Sequence, residues 1–400
     1  MNICLISHEY PPETGLGGIG TYTYHLAHGL VDLGHEVHVL SMSPGGHNQD
    51  SEDNGVHVHR IPRSEHIPDK GRLRDFYRRM EYSLAVERGL QRLCGDIEFD
   101  IIEGPNLEAE AFAYSFNEGP PLVTRIHTHS SKIQETWGLQ EDSNALLANW
   151  MEKTLIERSD LVLSSTQTHA DTVAREQDLS YQRLAIVPLG IPLPEFHPNT
   201  QDTRDTPQVL FVGRLEPRKG LHTLMQAVPL VLKRFPNAEF QIVGQETFLG
   251  AGEVSSEGDA QSSYKTQLLG LLPESSRERV HFLGRVSQED LEDLYQNCAF
   301  LCVPSWYESC GLIFMEAMAR SKAVIGCLAG GMPEIIRHGE TGLIVPPKNP
   351  ALLAEAINQL LSNQILCEEF GRKGRALAED YYNRERFAQD TIKAYLQVLA

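Results

Sequence analysis

Apolar runs with the length of buried β-strands alternate with helical stretches along most of this 400-residue chain. In the first half, the pattern predicts strands at 2–7, 36–41, 56–61, 100–103, 122–126, 161–165 and 184–187. The helices predicted between these strands include 19–34, 74–94, 107–117, 145–158 and 168–176. Strands that alternate with helices favour a parallel sheet covered by helices.

The alternation is interrupted between Pro188 and Pro207, in a segment rich in Pro, Asp and Thr that contains Ile191-Pro-Leu-Pro194. Such a composition is typical of a linker. The alternation then resumes, with strands predicted near 208–212, 238–243, 279–283, 299–303, 323–326 and 343–345. The helices predicted in this half lie near 220–234, 288–296, 311–320, 332–337 and 350–361.

A chain of 400 residues is long for one hydrophobic core and suits two domains of about 200 residues. We therefore predict an α/β fold with two doubly wound, Rossmann-like domains that face a central cleft, where ligands of such folds bind. The first domain is predicted at 1–190, the linker at 191–207 and the second domain at 208–380. A C-terminal helix at 381–400 is expected to pack back on the first domain.

Composition excludes several classes of protein. The net charge of −19 argues against a nucleic-acid partner. The seven cysteines are scattered and include no Cys-x-x-Cys pair, which favours reduced thiols in a cytosol over disulfides or zinc. The first residues have the pattern of a β-strand rather than of a signal peptide, and no window of 18 apolar residues predicts a membrane span.

Two glutamates eight positions apart flank a predicted strand-to-helix corner. Residues 298–305 are typical of a buried strand that ends in a loop, and a helix is predicted after Gly311. Glu308 would then lie on the loop and Glu316 about one turn into the helix, with exposed N–H groups of the helix start between them. Two acids around an anion site suit a nucleotide-sugar, although two solvated acids beside a helix start would give the same spacing.

A basic segment precedes another predicted helix. A strand at 208–212 is followed by Arg214, Arg218 and Lys219, and a helix begins near Gly220. Each cation at a helix N-terminus is unfavourable by about 0.3–1 kcal/mol, because the helix dipole is positive there. Three cations together indicate a bound anion, with Arg214 binding phosphate through two nitrogens and Lys219 acting as a point charge. The alternative is an exposed basic turn.

The chain resembles the family 4 retaining glycosyltransferases of GT-B fold, because four of its motifs occur in the same order as in that family. The resemblance spans nearly the whole chain. The motifs are Glu9-Tyr-Pro-Pro12 with Gly17-Gly18, Gly213-Arg-Leu-x-x-x-Lys-Gly220, Glu308-x7-Glu316, and Gly330-Gly-Met-Pro-Glu334 followed by His338-Gly-Glu-Thr-Gly-Leu-Ile-Val-Pro-Pro347.

The resemblance implies an enzyme that transfers a hexose from a nucleoside-diphosphate sugar to an acceptor hydroxyl, with retention at the anomeric carbon. UDP-glucose or UDP-N-acetylglucosamine is the expected donor. The acceptor is an unidentified glycan, lipid-linked or small molecule, and the expected role is glycan or polysaccharide biosynthesis. The acceptor would bind the first domain and the donor the second. Neither a cofactor nor a metal is expected, since no Asp-x-Asp metal motif is evident.

The resemblance also assigns a phosphate site. Arg214 and Lys219, with helix N–H groups near Gly311 and Leu312, are expected to stabilise the charge that develops on the leaving diphosphate. Cys310 adjoins this anion site and is interpreted as a small packing residue of the donor pocket.

The resemblance also implies the remaining contacts with the donor. Glu316 is expected to accept hydrogen bonds from both ribose hydroxyls, and Glu308 to contact hydroxyls of the donor sugar. His127 takes the place of the family's sugar-contacting histidine, with His129 as the alternative. Backbone near Arg285 and Val286 is expected to hold the nucleobase. No protein base is assigned, because a donor phosphate oxygen is expected to accept the acceptor's proton.

Gly17 and Gly18 are expected to let the backbone approach the diphosphate or the sugar. They overlap Gly15-x-Gly17-x-x-Gly20, which matches the dinucleotide-binding pattern G-x-G-x-x-G. In a nicotinamide site the first glycine follows the strand almost at once, whereas here seven residues follow Ser7 before Gly15. The second predicted strand also ends without the acid that would bind a ribose, so no nicotinamide cofactor is predicted.

Two histidine pairs raise the question of zinc. His57-x-His59 and His127-x-His129 each place two imidazoles on one side of an extended chain. Zinc needs three or four ligands, and the sequence indicates no third ligand beside either pair. We therefore predict no metal site.

A basic run from Lys70 to Arg79 stands out in this acidic chain, and its predicted helix also carries aromatic and aliphatic residues. Many relatives build membrane-linked glycans and touch lipid through such a surface. The segment 70–92 is therefore a candidate for peripheral membrane contact, with a solvated charged face as the alternative. The expected location is cytoplasmic, with or without contact to the inner membrane face.

Two rival function classes remain. One is an epimerase or hydrolase of the same fold that acts on the same donor. The other is a non-catalytic nucleotide-sugar binding protein, against which the presence of both phosphate cations and both acids argues. Residues 247–263 are small, polar and Gly-rich, and are interpreted as a long loop that is either a lid or a disordered insertion.

Overall fold

The computed structural model describes residues 1–14, 17–63, 73–138, 140, 142–177, 183–195, 206–246 and 263–400. The described chain forms two compact units. The first comprises Met1–Pro192 with Tyr382–Ala400, and the second comprises Leu193–Tyr381. Of the segment predicted as a loop, 247–262 lies outside the described residues, whereas Ser263 caps a helix.

The first unit is built around one sheet. Its strands are β1 (Asn2–Ile6), β2 (Glu36–Met42), β3 (Gln49–Asp53), β4 (Val56–Ile61), β5 (Ile101–Pro105), β6 (Leu122–Ile126), β7 (Leu161–Ser164) and β8 (Leu184–Ile186). Their order across the sheet is β3-β4-β2-β1-β5-β6-β7-β8, and the strands pair in parallel except for β3 with β4. Its helices are α1 (Gly18–Asp32), α2 (Arg74–Cys94), α3 (Ser130–Trp137), α4 (Ser143–Arg158), α5 (Gln167–Gln177) and α14 (Arg384–Leu399).

The second unit contains a smaller parallel sheet. Its strands are β9 (Gln208–Val212), β10 (Glu239–Val243), β11 (Val280–Gly284), β12 (Phe300–Cys302), β13 (Ala323–Cys327) and β14 (Gly342–Val345). They lie in the order β11-β10-β9-β12-β13-β14. Its helices are α6 (Leu221–Leu232), α7 (Tyr264–Gly270), α8 (Glu274–Arg277), α9 (Gln288–Asn297), α10 (Leu312–Ala319), α11 (Met332–Ile335), α12 (Pro350–Leu361) and α13 (Gln364–Tyr381).

The strand order of the second unit is that of a doubly wound dinucleotide-type sheet. The chain runs outward from β9 through β10 to β11, then returns to place β12 on the other side of β9. Sheets of this kind bind ligands where the strand order reverses, which here is at the carboxyl ends of β9 and β12. The loops that follow these two strands carry both motifs that the sequence analysis singled out.

Two local predictions for the first unit are wrong. The segment predicted as a helix at 107–117 forms two 3₁₀ turns, because Glu108 and Ala109 take positive φ angles of 66° and 51°. Strand β3 is absent from the predictions, since its sequence Gln-Asp-Ser-Glu-Asp lacks apolar alternation. It forms through a tight antiparallel turn onto β4 at Asn54-Gly55, where both residues have positive φ.

The tail helix α14 is tied to the first sheet by a buried polar network. Arg125 on β6 donates to Glu103 on β5 at 2.8 Å and to Thr391 of α14 at 3.3 Å. Tyr395 of α14 donates to the other oxygen of Glu103 at 2.7 Å. Removing one partner of a buried ion pair is costly, so this network fixes the last helix on the first unit.

Candidate active site

The loops after β9 and β12 meet through a glycine contact. Gly220 follows a 3₁₀ turn at Pro217–Lys219 and has a φ of +73°, which favours glycine. A Cβ atom at Gly220 would lie 1.8 Å from the carbonyl oxygen of Pro304. Only glycine therefore allows the two loops to pack backbone against backbone.

The loop after β12 is held from its other side as well. Gly330 has a φ of +55°, and a Cβ atom there would lie 2.0 Å from the carbonyl oxygen of Glu308. The N–H of Gly331 donates to that same oxygen at 2.8 Å, and the N–H of Trp306 donates to the carbonyl of Arg218 at 2.7 Å. The backbone around Glu308 is thus fixed between the 217–220 turn and the 330–331 turn.

The carboxylate of Glu308 receives three charged or polar partners. Lys219 Nζ donates to Oε1 at 2.6 Å, and Ser305 Oγ donates to the same oxygen at 2.8 Å. Arg218 donates to Oε2 at 3.0 Å. Burial raises the pKa of Glu308, but Lys219 and Arg218 outweigh it and lower the pKa to about 2. The side chain therefore stays ionised at neutral pH.

The three cations of the basic segment have different environments. Arg218 is buried and donates to Glu216 at 2.6 Å and to Glu308, so its charge is compensated. Lys219 is paired with Glu308. Arg214 has a side chain that is 42% exposed, and its nearest contact with Glu216 is a loose 3.8 Å. The prediction that three cations together indicate a bound anion therefore needs correction. Among the described residues, Arg214 is the one of the three that lacks a close carboxylate.

Glu316 is placed on the second turn of α10 and is half-buried. The hydroxyl of Tyr295 donates to its Oε2 at 3.1 Å. Burial raises the pKa of Glu316, while Arg320 and the Tyr295 hydrogen bond oppose that shift. One oxygen of the carboxylate is thus held by Tyr295, and the predicted contact with the ribose stays a prediction.

The predicted anion site lies at the start of α10. Gly311 is the N-cap, with a φ of +97° and no side chain to accept from the first N–H groups of the helix. Leu312, the first helical residue, and Cys310 are both buried. Helix N–H groups without a side-chain cap favour an anionic ligand.

The predicted base contacts lie at the end of another strand. Arg285 is exposed and Val286 half-buried, in the short turn between β11 and α9. This turn is at the carboxyl edge of the second sheet, the same edge as the loops after β9 and β12.

The other predicted residues lie in the first unit. His127 follows β6, and its Nε2 atom is buried without a hydrogen-bond partner among the described residues. Burial, with Arg125 and His169, lowers the pKa of His127 to about 3, so the ring is neutral. His129, the alternative, lies buried at the N-cap of α3, where Nε2 is 3.4 Å from Glu176.

The Gly17 and Gly18 predictions fall at the start of α1. Gly17 is the N-cap, and a Cβ atom there would lie 2.7 Å from a carboxylate oxygen of Glu9. A Cβ atom at Gly18 would meet open space. Gly15, the first glycine of the competing dinucleotide pattern, lies outside the described residues.

The basic segment 70–92 is partly neutralised. Arg79 of α2 is buried and pairs with Glu152 at 3.1 Å and with Glu108 at 3.0 Å. Arg78 approaches Glu108 at 3.5 Å, and residues 70–72 lie outside the described part of the chain. Among the described helices, none is long and apolar enough to cross a bilayer.

Three residues hold the site in a way that the sequence did not predict, since Glu216 and Ser305 were assigned no role and Arg218 was predicted only as one of the phosphate cations. Glu216, Arg218 and Ser305 fix Glu308 and the turn beside it. Arg218 and Ser305 lie 87 positions apart in the chain, so no local pattern predicts their common contact. The signal that sequence offered was the placement of each after a buried strand.

Two family models match this chain one after the other. Glycosyltransferase Family 4 matches residues 16–194, and Glycosyl transferases group 1 matches residues 194–377. An uncharacterized glycosyltransferase of Methanocaldococcus jannaschii is 28% identical over 99% of this chain and 98% of its own length.

Solved structures match the whole chain. Sucrose-phosphate synthase from Thermosynechococcus elongatus gives a TM-score of 0.80 at 22% identity, covering 100% of this chain and 99% of that chain. HepE from Anabaena, in complex with UDP-glucose, gives a TM-score of 0.72 at 18% identity, covering 99% of this chain and 100% of that chain. The predicted fold class, two doubly wound α/β domains of GT-B type, is confirmed. With its two halves matched by the two family models and its fold matched over the full length, the chain belongs to the family 4 glycosyltransferases.

Proposed function

We propose that this glycosyltransferase transfers a hexose from UDP-hexose to an acceptor hydroxyl, with retention of anomeric configuration and without a divalent metal. The observation that carries the proposal is the fixed Lys219–Glu308 pair. It joins the loops after β9 and β12 at the point where the strand order reverses. A sugar diphosphate bound there would meet a cation for its phosphates and a permanent carboxylate for its hydroxyls.

Positive charge for the leaving diphosphate comes from protein groups. Arg214 is exposed enough to turn toward a ligand, and its contact with Glu216 is long. The uncapped start of α10 adds N–H donors. Lys219 and the start of α10 are oriented before the ligand arrives, and fixed donors aimed at developing charge are usually the largest catalytic contribution.

Glu308 suits hydrogen bonding rather than proton transfer. With its pKa near 2, the carboxylate is ionised throughout the neutral range and is a weak base. It would accept hydrogen bonds from the donor sugar's hydroxyls and stabilise positive charge near the anomeric carbon. The absence of a base role for Glu308 supports front-face attack, in which a donor phosphate oxygen takes the acceptor's proton.

Donor identity is supported by a structural neighbour. HepE from Anabaena was solved in complex with UDP-glucose and has the same fold over the full length. We therefore assign UDP as the nucleotide and glucose as the first sugar to test, with N-acetylglucosamine next. Glu316 would bind the ribose, and the backbone at Arg285 and Val286 the base.

The acceptor is assigned to the first unit. His127 there is neutral and has an unpartnered Nε2, which suits contact with a sugar hydroxyl. Gly18 presents open backbone at the start of α1. We place the enzyme in the cytosol, in the synthesis of a glycan or polysaccharide. Because Arg79 is buried in ion pairs, contact of the 70–92 segment with a membrane has less support than its sequence suggests.

The test is a donor screen with the intact protein. UDP-, GDP- and ADP-sugars are incubated with and without a panel of sugar acceptors, and NMR of the product gives the anomeric configuration. Transfer from a UDP-hexose with retained configuration supports the proposal. Hydrolysis at the same rate with and without acceptor would identify a hydrolase, and tight UDP-sugar binding without turnover would identify a binding protein. Either result, or inversion, overturns the proposal.

A further inference from the structure

Three histidines and two acids form a cluster on the first sheet, away from the residues assigned to glycosyl transfer. Glu36 and His38 lie two positions apart on β2, and His57 and His59 lie two positions apart on β4. The two strands pair in parallel with His38 opposite His57, so the four side chains share one face of the sheet. The sequence showed only the pair on β4, and the sheet supplies the further ligands.

A chain of hydrogen bonds connects these rings. Asp50 Oδ1 lies 2.8 Å from His59 Nδ1, and a carboxylate oxygen accepts, so His59 donates from Nδ1. His59 Nε2 lies 3.0 Å from His38 Nδ1, so one of these two nitrogens carries the shared hydrogen. When His38 donates it, a lone pair is left on His38 Nε2.

That lone pair faces another acceptor. His38 Nε2 lies 3.3 Å from Glu36 Oε1, with no hydrogen left to place between them on a neutral ring. Two acceptors in contact are stabilised by a cation between them. Either an additional proton on the His38–His59 pair or a metal ion would meet this need.

The geometry of the pair suits a metal ion. His38 is 4% exposed, and its Nε2 atom lies beside the Glu36 carboxylate, so two ligand atoms are already held together. The nearby cation Arg92 is directed to Asp50, at 3.4 Å. Imidazole is the commonest metal ligand among protein side chains.

We propose that Glu36, His38 and His57 bind a divalent transition metal, with zinc the best match to a ligand set of two imidazoles and one carboxylate. Their ligand atoms all lie within 4.8 Å of one another. Zinc–ligand bonds of about 2.0–2.2 Å in a tetrahedral site place ligand atoms roughly 3.3 Å apart, the distance already present between His38 and Glu36. His57 needs to move by at most about 1.5 Å to complete this geometry.

The surroundings match those of a metal site. Metal-binding histidines usually donate their other ring nitrogen to a second group that fixes the ring, and here His59 with Asp50 does so for His38. Three protein ligands leave a fourth position for water. His38 and His57 also stack, with ring centroids 4.7 Å apart, which holds them on the same face.

The location assigns the metal a structural role. Glu36 and His57 are the first and second residues of β2 and β4, so the cluster lies at the amino edge of the parallel strands. His127 and the Gly17 loop follow strands and lie at the carboxyl edge. The ion would connect β2 to β4 and stabilise the first unit without touching the transferred sugar.

The experiment uses the full chain without a histidine tag. Zn²⁺ is titrated by calorimetry, Co²⁺ binding is followed by visible absorption, and Tm is measured with and without Zn²⁺. We expect one ion per chain and a rise in Tm with Zn²⁺. Glu36→Gln and His57→Gln should abolish the binding, and His59→Gln, which removes only the fixing group, should weaken it by about 10–100-fold.

The matched control is His47→Gln. His47 is exposed on the same unit and bonds only locally, to the carbonyl of Gly45. This variant should bind Zn²⁺ as the wild type does. The proposal is overturned if the wild type binds no Zn²⁺ at a metal concentration on the order of 100 µM, where weak surface sites begin to bind. It is also overturned if Glu36→Gln and His57→Gln bind Zn²⁺ as tightly as His47→Gln.

Discussion

Lys219 donates a hydrogen bond of 2.6 Å to Glu308 across 89 positions of the chain. The two residues belong to loops that follow neighbouring strands, β9 and β12, and Gly220 lets those loops touch. A cation and an anion fixed in this way leave the site with both signs of charge in place before a ligand binds. A sugar diphosphate needs both, one for its phosphates and one for its hydroxyls.

Glu316 and Glu308 should differ in the ligands whose binding they affect, because Glu316 is proposed to bind the ribose and Glu308 the donor sugar. Glu316→Gln should weaken binding of both UDP and UDP-glucose by about 10–100-fold, since a hydrogen bond to a charged group contributes roughly 1.5–3 kcal/mol. Glu308→Gln should leave UDP affinity near that of the wild type and lower the transfer rate. Calorimetry with both ligands measures these affinities. Tyr295→Phe removes the hydrogen-bond donor to Glu316 but keeps the charge of Glu316, so it should have a smaller effect than Glu316→Gln. The reverse pattern would exchange the two roles.

The low pKa of Glu308 predicts how stability changes with pH. Its folded pKa of about 2 lies below the value of about 4.3 for an unfolded glutamate, so folding is favoured above the unfolded pKa. This contribution to the free energy of unfolding is about 3 kcal/mol at neutral pH. It falls in acid because the glutamate is protonated at a higher pH in the unfolded chain than in the folded one, and roughly half of it is lost by pH 3. Urea unfolding of wild type and Glu308→Gln between pH 7 and pH 3 should show their difference shrinking below pH 5. A constant difference would contradict the assigned ion pairs.

Glu308, Glu316, Arg214 and Lys219 lie on the loops and the helix that the sequence predicts, because strand–turn–helix boundaries leave local signals in apolar runs and glycines. The ion pairs that compensate the charge of Arg218 could not be predicted, since both of its carboxylates are contacts of the folded structure. The polar strand β3 likewise depends on pairing with β4 rather than on its own pattern.

A similar limit applies to the histidines. The sequence offered His57 with His59 and no third ligand, whereas parallel pairing brings His38 and Glu36 from β2 beside them. Strand register was not predicted, so the cluster was not either. Helix α13 (Gln364–Tyr381) was also absent from the predicted elements, although the predicted helix before it ends at the observed residue, 361.

Gly220 and Gly339 offer a matched test of the loop contact. Both have similar φ angles, +73° and +75°, but a Cβ atom at Gly339 would meet open space whereas at Gly220 it would overlap the Pro304 carbonyl. Gly339→Ala should cost about 1–2 kcal/mol of folding free energy from the backbone angle alone. Gly220→Ala should cost about 1–3 kcal/mol more and should lower transfer, because the loop must shift. Equal losses of stability in urea unfolding would mean that the contact does not constrain the loop.

Chelation should separate catalysis from the proposed metal site. Transfer at 25 °C should survive EDTA, because Arg214, Lys219 and the start of α10 supply the positive charge that a metal provides elsewhere. Tm should fall on chelation if zinc connects β2 and β4. Initial rates and thermal unfolding are measured on the same samples. Loss of transfer that Mg²⁺ or Mn²⁺ restores would refute the metal-free mechanism.

The phosphate cations test the central claim most directly. Lys219→Ala and Arg214→Ala should each lower kcat for transfer from UDP-hexose by about 10²–10³, the usual effect of removing one fixed donor aimed at developing charge. Lys233→Ala is the matched control, because Lys233 is an exposed lysine at the far end of the helix that follows Lys219. The decisive measurement is kcat of these three variants at saturating donor. We expect a large loss in the first two and none in the control, and wild-type turnover in both Lys219→Ala and Arg214→Ala would contradict the assignment of these residues to the phosphates.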